Sequence, residues 1–189
     1  MEGYAMARVM VFLADGFEEI EGLTVVDLLR RAGSEVVTVS VMGRKEIRGS
    51  HEIQIQADEL FEDMEFARGD VLVLPGGMPG TLHLGSHRGL GALLEKWNEM
   101  GERIAAICAA PSVLGDLGIL EGKEAVCYPG FEDRLTGAHT SDRAVVTDGN
   151  VTTSRGLGTA IAFASELISL LHGEEKALEI EKSVIYTRP

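Results

Sequence analysis

The chain has 189 residues, 45% of them hydrophobic and 25% charged. That length and balance fit one globular domain and exclude a disordered chain. Lys and Arg number 17 against 30 Asp and Glu, a net charge of −13, which repels phosphate backbones and anionic lipid, so neither nucleic acid nor a membrane is an expected partner.

The first residues, Met1 to Arg8, are not expected to be a signal peptide, because the apolar run that follows starts too soon and is too short. That run, residues 9–13, is continuous and stops at Asp15-Gly16, as a strand buried on both faces does. Glu18, Glu19 and Glu21 then lead a segment whose apolar residues recur at helical spacing. Arg30 and Arg31 follow and Gly33 closes it, which predicts a helix with its dipole complemented at both ends. Residues 36–39 read as a strand and 51–57 as a small alternating strand pair. Residues 71–74 are another buried strand, halted by Pro75-Gly76-Gly77, and 90–100 an amphipathic helix. A strand over 104–107 runs into a helix over 111–117. Two strands, 144–147 and 151–154, flank Asp148-Gly149, a hairpin signal. Helices over 159–171 and 174–182 end the chain.

Strands alternating with helices across short turns imply an α/β fold with a mainly parallel sheet and helices on both faces. No long linker or repeat interrupts residues 1–189, so a single domain is expected. No apolar run approaches the roughly 18 residues of a membrane span. Two cysteines are too few for a disulfide framework, and a cytoplasmic protein with reduced thiols is expected. In open α/β sheets ligands bind beyond the C-terminal strand ends. Three turns lie there: 15–21, 75–80 and 108–111.

Cys108 stands directly between a strand and a helix, the layout of a nucleophile elbow. The residues two before and two after it must be small, and they are Ala106 and Ala110. Pro111 suits the first helical turn. A thiol at a helix start is expected to have a lowered pKa. Gly76-Gly77 lets a neighbouring turn approach a ligand closely, and the N–H groups of Gly77 and Ala109 are candidate oxyanion donors. Glu21 alone is one of three acids in a favourable first turn. Held against the thiol, its carboxyl would have a raised pKa and could serve as acid or base. The five histidines show no metal-ligand spacing, and no phosphate loop, CxxC pair or HExxH motif occurs, so no metal or cofactor is expected. Cys127 reads as structural. The acidic pairs Glu18-Glu19, Asp58-Glu59 and Glu62-Asp63 read as solvated faces.

Four segments occur in an order that resembles the ThiJ/PfpI superfamily, in the branch of the parkinsonism-associated protein deglycase. They are Ala14-Asp15-Gly16-Phe17-Glu18-Glu19-Ile20-Glu21, Leu74-Pro75-Gly76-Gly77, Ala105-Ala106-Ile107-Cys108-Ala109-Ala110-Pro111 and Thr153-Ser154-Arg155-Gly156-Leu157-Gly158-Thr159. The resemblance implies a flavodoxin-like sandwich and a homodimer. It matches Cys108 to a reactive, easily oxidised cysteine, Glu21 to a protonated glutamate bonded to it, and Gly77 and Ala109 to backbone donors. Gly76, Arg155 and Tyr128 would line the cleft. Two positions depart from the family: Ala109 stands where the protease-like branch has histidine, and Tyr128 where the animal deglycase has one. A Cys–His dyad is therefore not expected, and peptidase or amidase activity is disfavoured. The implied activity is that of a cofactor-independent glyoxalase III or deglycase, of hydro-lyase or hydrolase type, acting on methylglyoxal-like aldehydes or glycated adducts. The alternative is a non-enzymatic sensor and chaperone working through cysteine oxidation.

Overall fold

Three continuous apolar runs, residues 9–13, 71–74 and 104–107, form the centre of a seven-stranded sheet. The computed structural model describes residues 8–188; the reading of the N-terminal segment before Arg8 lies outside the described residues. In order the elements are β1 (Arg8–Leu13), α1 (Glu19–Arg31), β2 (Glu35–Ser40), β3 (Glu46–Arg48), β4 (Gln54–Gln56), β5 (Glu59–Leu60), β6 (Val71–Leu74), α2 (Gly80–Ser86), α3 (Arg88–Glu99), β7 (Ile104–Ile107), α4 (Pro111–Asp116), β8 (Glu124–Ala125), β9 (His139–Thr140), β10 (Val145–Asp148), β11 (Val151–Ser154), α5 (Ala160–His172) and α6 (Glu174–Ser183). The large sheet runs β10-β11-β7-β6-β1-β2-β5. Only its β10–β11 edge is antiparallel. β3 and β4 form a separate antiparallel hairpin, and β8 and β9 a short parallel pair.

Every residue of β6 and β7 is buried, because both sheet faces are covered. Successive side chains of β1 point to opposite sides, as strand geometry requires. Val9, Val11 and Leu13 join Val25 and Leu29 of α1 and Phe163 and Leu167 of α5 in one core. Met10 and Phe12 join Leu72, Leu74, and Leu90, Leu94 and Trp97 of α3 in the other. Full burial of one such side chain contributes roughly 1.5–3 kcal/mol, so the two-sided core fixes the sheet, and the sheet in turn fixes the turns at its strand ends. The Trp97 indole N–H donates to the Asp70 carbonyl at 2.9 Å, satisfying its one polar atom.

The ends of α1 follow the charge pattern. The Glu18 carboxylate caps the Ile20 N–H at 3.2 Å, Arg30 and Arg31 occupy the last turn, and Gly33 takes a φ of +94° to end it. Other elements differ from expectation. The strand pair expected over 51–57 is a hairpin that starts earlier, at Glu46. α2 has no counterpart in the sequence reading: its seven residues include Gly80 and Gly85, which weaken a helical pattern. β5, β8 and β9 have two residues each, too few to show a period. No helix among the described residues is long and apolar enough to cross a membrane.

Candidate functional site

β7, β6 and β1 are parallel neighbours, so the three turns that follow them converge. The β1–α1 turn is stitched to the β6 turn twice: the Glu18 N–H donates to the Gly76 carbonyl at 2.8 Å, and the Gly76 N–H donates to Glu21 Oε2 at 3.0 Å. A Cβ on Gly76 would stand 2.5 Å from the Cys108 Cβ and 2.6 Å from Glu21 Oε2. Gly77 has a φ of +92°, and its Cβ would overlap the backbone of Phe17 and Glu18. Glycine is required at both positions, for closeness at the first and for conformation as well at the second.

Cys108 has a φ of +66°, a left-handed conformation that costs a non-glycine residue on the order of 1–3 kcal/mol. Its neighbours impose it. The Cys108 N–H donates to the Ser154 carbonyl at the end of β11 at 2.9 Å, and its carbonyl accepts from the Tyr128 N–H at 2.8 Å. Ala106 and Ala110 are fully buried on either side, where larger side chains would collide. The residue itself is only partly buried, whereas Cys127 is buried.

Glu21 is 1% exposed and its carboxyl hydrogen-bonds the Cys108 thiol. Burial pushes its pKa up to about 7; the hydrogen bonds from Cys108 and Gly76 oppose that rise, and the charge of Glu18 adds to it. The Cys108 thiol is pushed up to about 12, first by burial, then by the charge and hydrogen bond of Glu21, against the N–H groups of Ala109 and Gly77. This corrects the expectation of a thiol made acidic by a helix start. α4 has only six residues and no side-chain cap, so its dipole is weak, while an ionised Glu21 repels a thiolate directly. The two groups are coupled, since the charge of each disfavours the charge of the other. A proton on Glu21 removes the repulsion and leaves three donors facing the sulfur.

The remaining expected residues divide. Tyr128 is 50% exposed and borders the site, since a Cβ on Gly156 would stand 3.3 Å from the Tyr128 ring and 3.8 Å from Glu21 Oε1. Arg155 donates to the Asp142 carbonyl at 3.3 Å, and its charge acts on Cys127. Gly156 and Ser154 belong to the site but were not singled out by the sequence reading; their place at the end of β11, next to β7, is the signal that could have found them. Four of the five histidines have side-chain partners of their own: His51 with Glu19, His83 with the Asp15 carbonyl, His87 at the start of α3, His172 with Ser34.

The Glu18-Glu19 pair is not a solvated face. Glu19 is 2% exposed, and accepts from the His51 N–H at 2.8 Å, because the loop of the β3–β4 hairpin folds over it. Asp58 stays exposed, as expected, and also has fixed partners, the Thr38 N–H at 2.9 Å, the Thr38 hydroxyl at 2.8 Å and Arg30 at 2.9 Å.

Comparison with known proteins gives a consistent picture. The family model described as the DJ-1/PfpI family matches residues 7–170. Protein dj-1beta of Drosophila melanogaster is 39% identical over 178 residues, 93% of this chain and 95% of the fly protein. A protein named a deglycase from Pyrococcus abyssi (strain GE5 / Orsay) is 34% identical over 167 residues, 87% of this chain and 99% of its own. Among solved structures, oxidized Toxoplasma gondii DJ-1 superposes with a TM-score of 0.92 at 37% identity, covering 96% of this chain and 100% of that one.

Proposed function

The chain belongs to the DJ-1/PfpI family, and on that premise we propose that it is a cofactor-independent, Cys108-dependent enzyme of glyoxalase III or deglycase type. Its substrates are methylglyoxal-like α-oxoaldehydes or their adducts. One observation carries the reading: a partly accessible thiol in a strained elbow touches a buried carboxyl whose pKa burial raises. The deglycase name of the Pyrococcus abyssi relative supports the class.

In the proposed cycle the Cys108 sulfur adds to the aldehyde carbon, and the thiol proton passes through Glu21 to the carbonyl oxygen. A hemithioacetal results. Glu21 then removes the hydrogen of that carbon as a proton and returns a proton to the neighbouring carbon, by way of an enediol. The first carbon has risen to the carboxyl level as a thioester, and the second has fallen from ketone to alcohol. Electrons therefore balance within the substrate and no redox cofactor is called for. Water opens the thioester, releasing a 2-hydroxy acid and restoring the thiol. The N–H groups of Gly77 and Ala109 face the sulfur and suit the oxygen that turns negative beside it. Such a donor contributes on the order of 10²–10³ in rate.

The test is methylglyoxal consumption by the purified chain beside Cys108→Ser and Glu21→Ala. Both variants should be inactive, and undiminished turnover in either discards the mechanism. The same reading takes the chain to be a cytoplasmic homodimer, which light scattering checks as to assembly.

A second reading has a specific observation behind it, the oxidized state of the Toxoplasma gondii relative. Peroxide would take Cys108 to sulfenic and then sulfinic acid, releasing one water at each step. Glu21, Gly77 and Ala109 would bind the new oxygens, and the oxidised chain would act as a stress chaperone or partner-binding module. Intact-mass analysis after mild peroxide tests it: the gain of two oxygens must vanish in Cys108→Ser, and a gain that persists there rejects it.

A further inference from the structure

We infer that Glu18, Glu19 and His51 form a binding site for a divalent cation of the zinc class, where the β3–β4 hairpin closes over the start of α1. The proposal is independent of the enzymatic reading and uses no thiol. Sequence spacing could not show it, because 32 residues separate His51 from Glu19.

The ligand atoms of Glu18, Glu19 and His51 all lie within 4.8 Å of one another. His51 Nδ1 lies 2.9 Å from Glu19 Oε2 and 3.3 Å from Glu18 Oε2. The Ser50 hydroxyl lies 3.3 Å from each of those oxygens and 3.0 Å from the same nitrogen. Zinc held at its usual distance from nitrogen and oxygen ligands, about 2.0–2.1 Å, sets the edges of its tetrahedron near ~3.3 Å. The five separations need to change by only a few tenths of an ångström. The Ser50 hydroxyl marks the fourth corner, the position a water or the hydroxyl itself takes.

The donors are held in place. Each carboxylate has one oxygen fixed by a backbone N–H: Glu18 Oε1 accepts from Ile20 at 3.2 Å and Glu19 Oε1 from His51 at 2.8 Å. The other oxygen of each is thereby turned toward the same point. Fixing ligands through such outer hydrogen bonds is how metal sites are pre-oriented. The two acid side chains are 13% and 3% exposed while the imidazole is 68% exposed, so the site is walled on the protein side and open to an entering ion on the other.

The chemistry of the donors narrows the ion. An imidazole and two carboxylates around a small four-cornered space suit zinc or its neighbours. Calcium requires six to eight oxygens at longer distances, and magnesium a near-ideal octahedron. A protonated His51 would make an ion pair here, but it brings one positive charge to two carboxylates. A divalent ion takes the place of that proton and matches both.

The test is equilibrium dialysis and calorimetry of the whole chain with Zn²⁺, with Co²⁺ as an optical probe. The expected result is one ion per chain, visible bands of tetrahedral Co²⁺ without a thiolate charge-transfer band, and affinity unchanged in Cys108→Ser. His51→Ala and His51→Gln should each weaken binding at least about tenfold; the exposed position of His51 keeps both variants folded. Equal affinity in either His51 variant, loss of binding in Cys108→Ser, a thiolate band, or no saturable binding would overturn the assignment.

Discussion

The amide of Gly76 donates to Glu21 Oε2 at 3.0 Å, and that one bond ties the turn after β6 to the helix that carries the carboxyl. Gly76 thus serves the site twice, by donating and by having no side chain where the Cys108 Cβ comes within 2.5 Å of the space one would need.

Gly76→Ala should therefore disable the proposed site while leaving Cys108 and Glu21 themselves unsubstituted, because its methyl would press on both. The new methyl also meets the Ile107 carbonyl at 2.9 Å, backbone that cannot turn aside. We expect a loss of about 1–3 kcal/mol from overpacking, read by chemical denaturation, together with loss of methylglyoxal turnover. An alanine variant as stable and as active as the parent would show that the turn has room to spare.

Glu21→Gln keeps size and hydrogen bonding but cannot carry a proton between carbons. Turnover should fall by about 10²–10⁴, the usual worth of an acid–base group. In the parent chain kcat/KM should rise about tenfold per pH unit below 7 and then level, because the active form is the pair with one proton and its first proton leaves near 7. A profile flat from pH 5 to 8 would contradict this assignment.

Stability should follow the same carboxyl. Its ordinary pKa of 4.5 becomes about 7 in the folded chain, so between those values the folded state keeps a proton that the unfolded state releases. The contribution of Glu21 is fully present below pH 4.5 and is lost as pH rises through 7. The stability of Glu21→Gln relative to the parent should thus grow by about 3 kcal/mol between pH 4.5 and 8. Denaturant titrations of both proteins at the two pH values measure it, and a constant difference would refute it.

Arg155→Ala should leave methylglyoxal turnover unchanged, because the guanidinium acts on Cys127 and bonds the Asp142 carbonyl. Removing its charge should raise the Cys127 pKa further above its present value of about 11 and slow alkylation of that thiol. A large fall in turnover would instead place Arg155 among the substrate-binding groups.

Much of the scaffold is legible in the order of residues. β6 and β7 coincide with the apolar runs 71–74 and 104–107 because four apolar residues bounded by a turn have no other use in a buried sheet. The elbow at Cys108 is legible too, from the alanines two residues away on either side. The burial of Glu19 is not, since it depends on a hairpin loop returning from residues 50 and 51. Nor is the proton balance of Cys108, which is set by the Glu21 carboxyl arriving from another turn and outweighs a helix of six residues. Strand order is equally hidden: neighbours β1 and β6 are separated in the chain by a long helix and four strands, β2 to β5, and only the packed core decides their adjacency.

The backbone at Cys108 sits where glycine would be at ease. Cys108→Gly should relieve that backbone strain while removing the thiol. Backbone ease and the proposed chemistry thus pull against each other at one position: the residue type that the conformation favours is one without a sulfur.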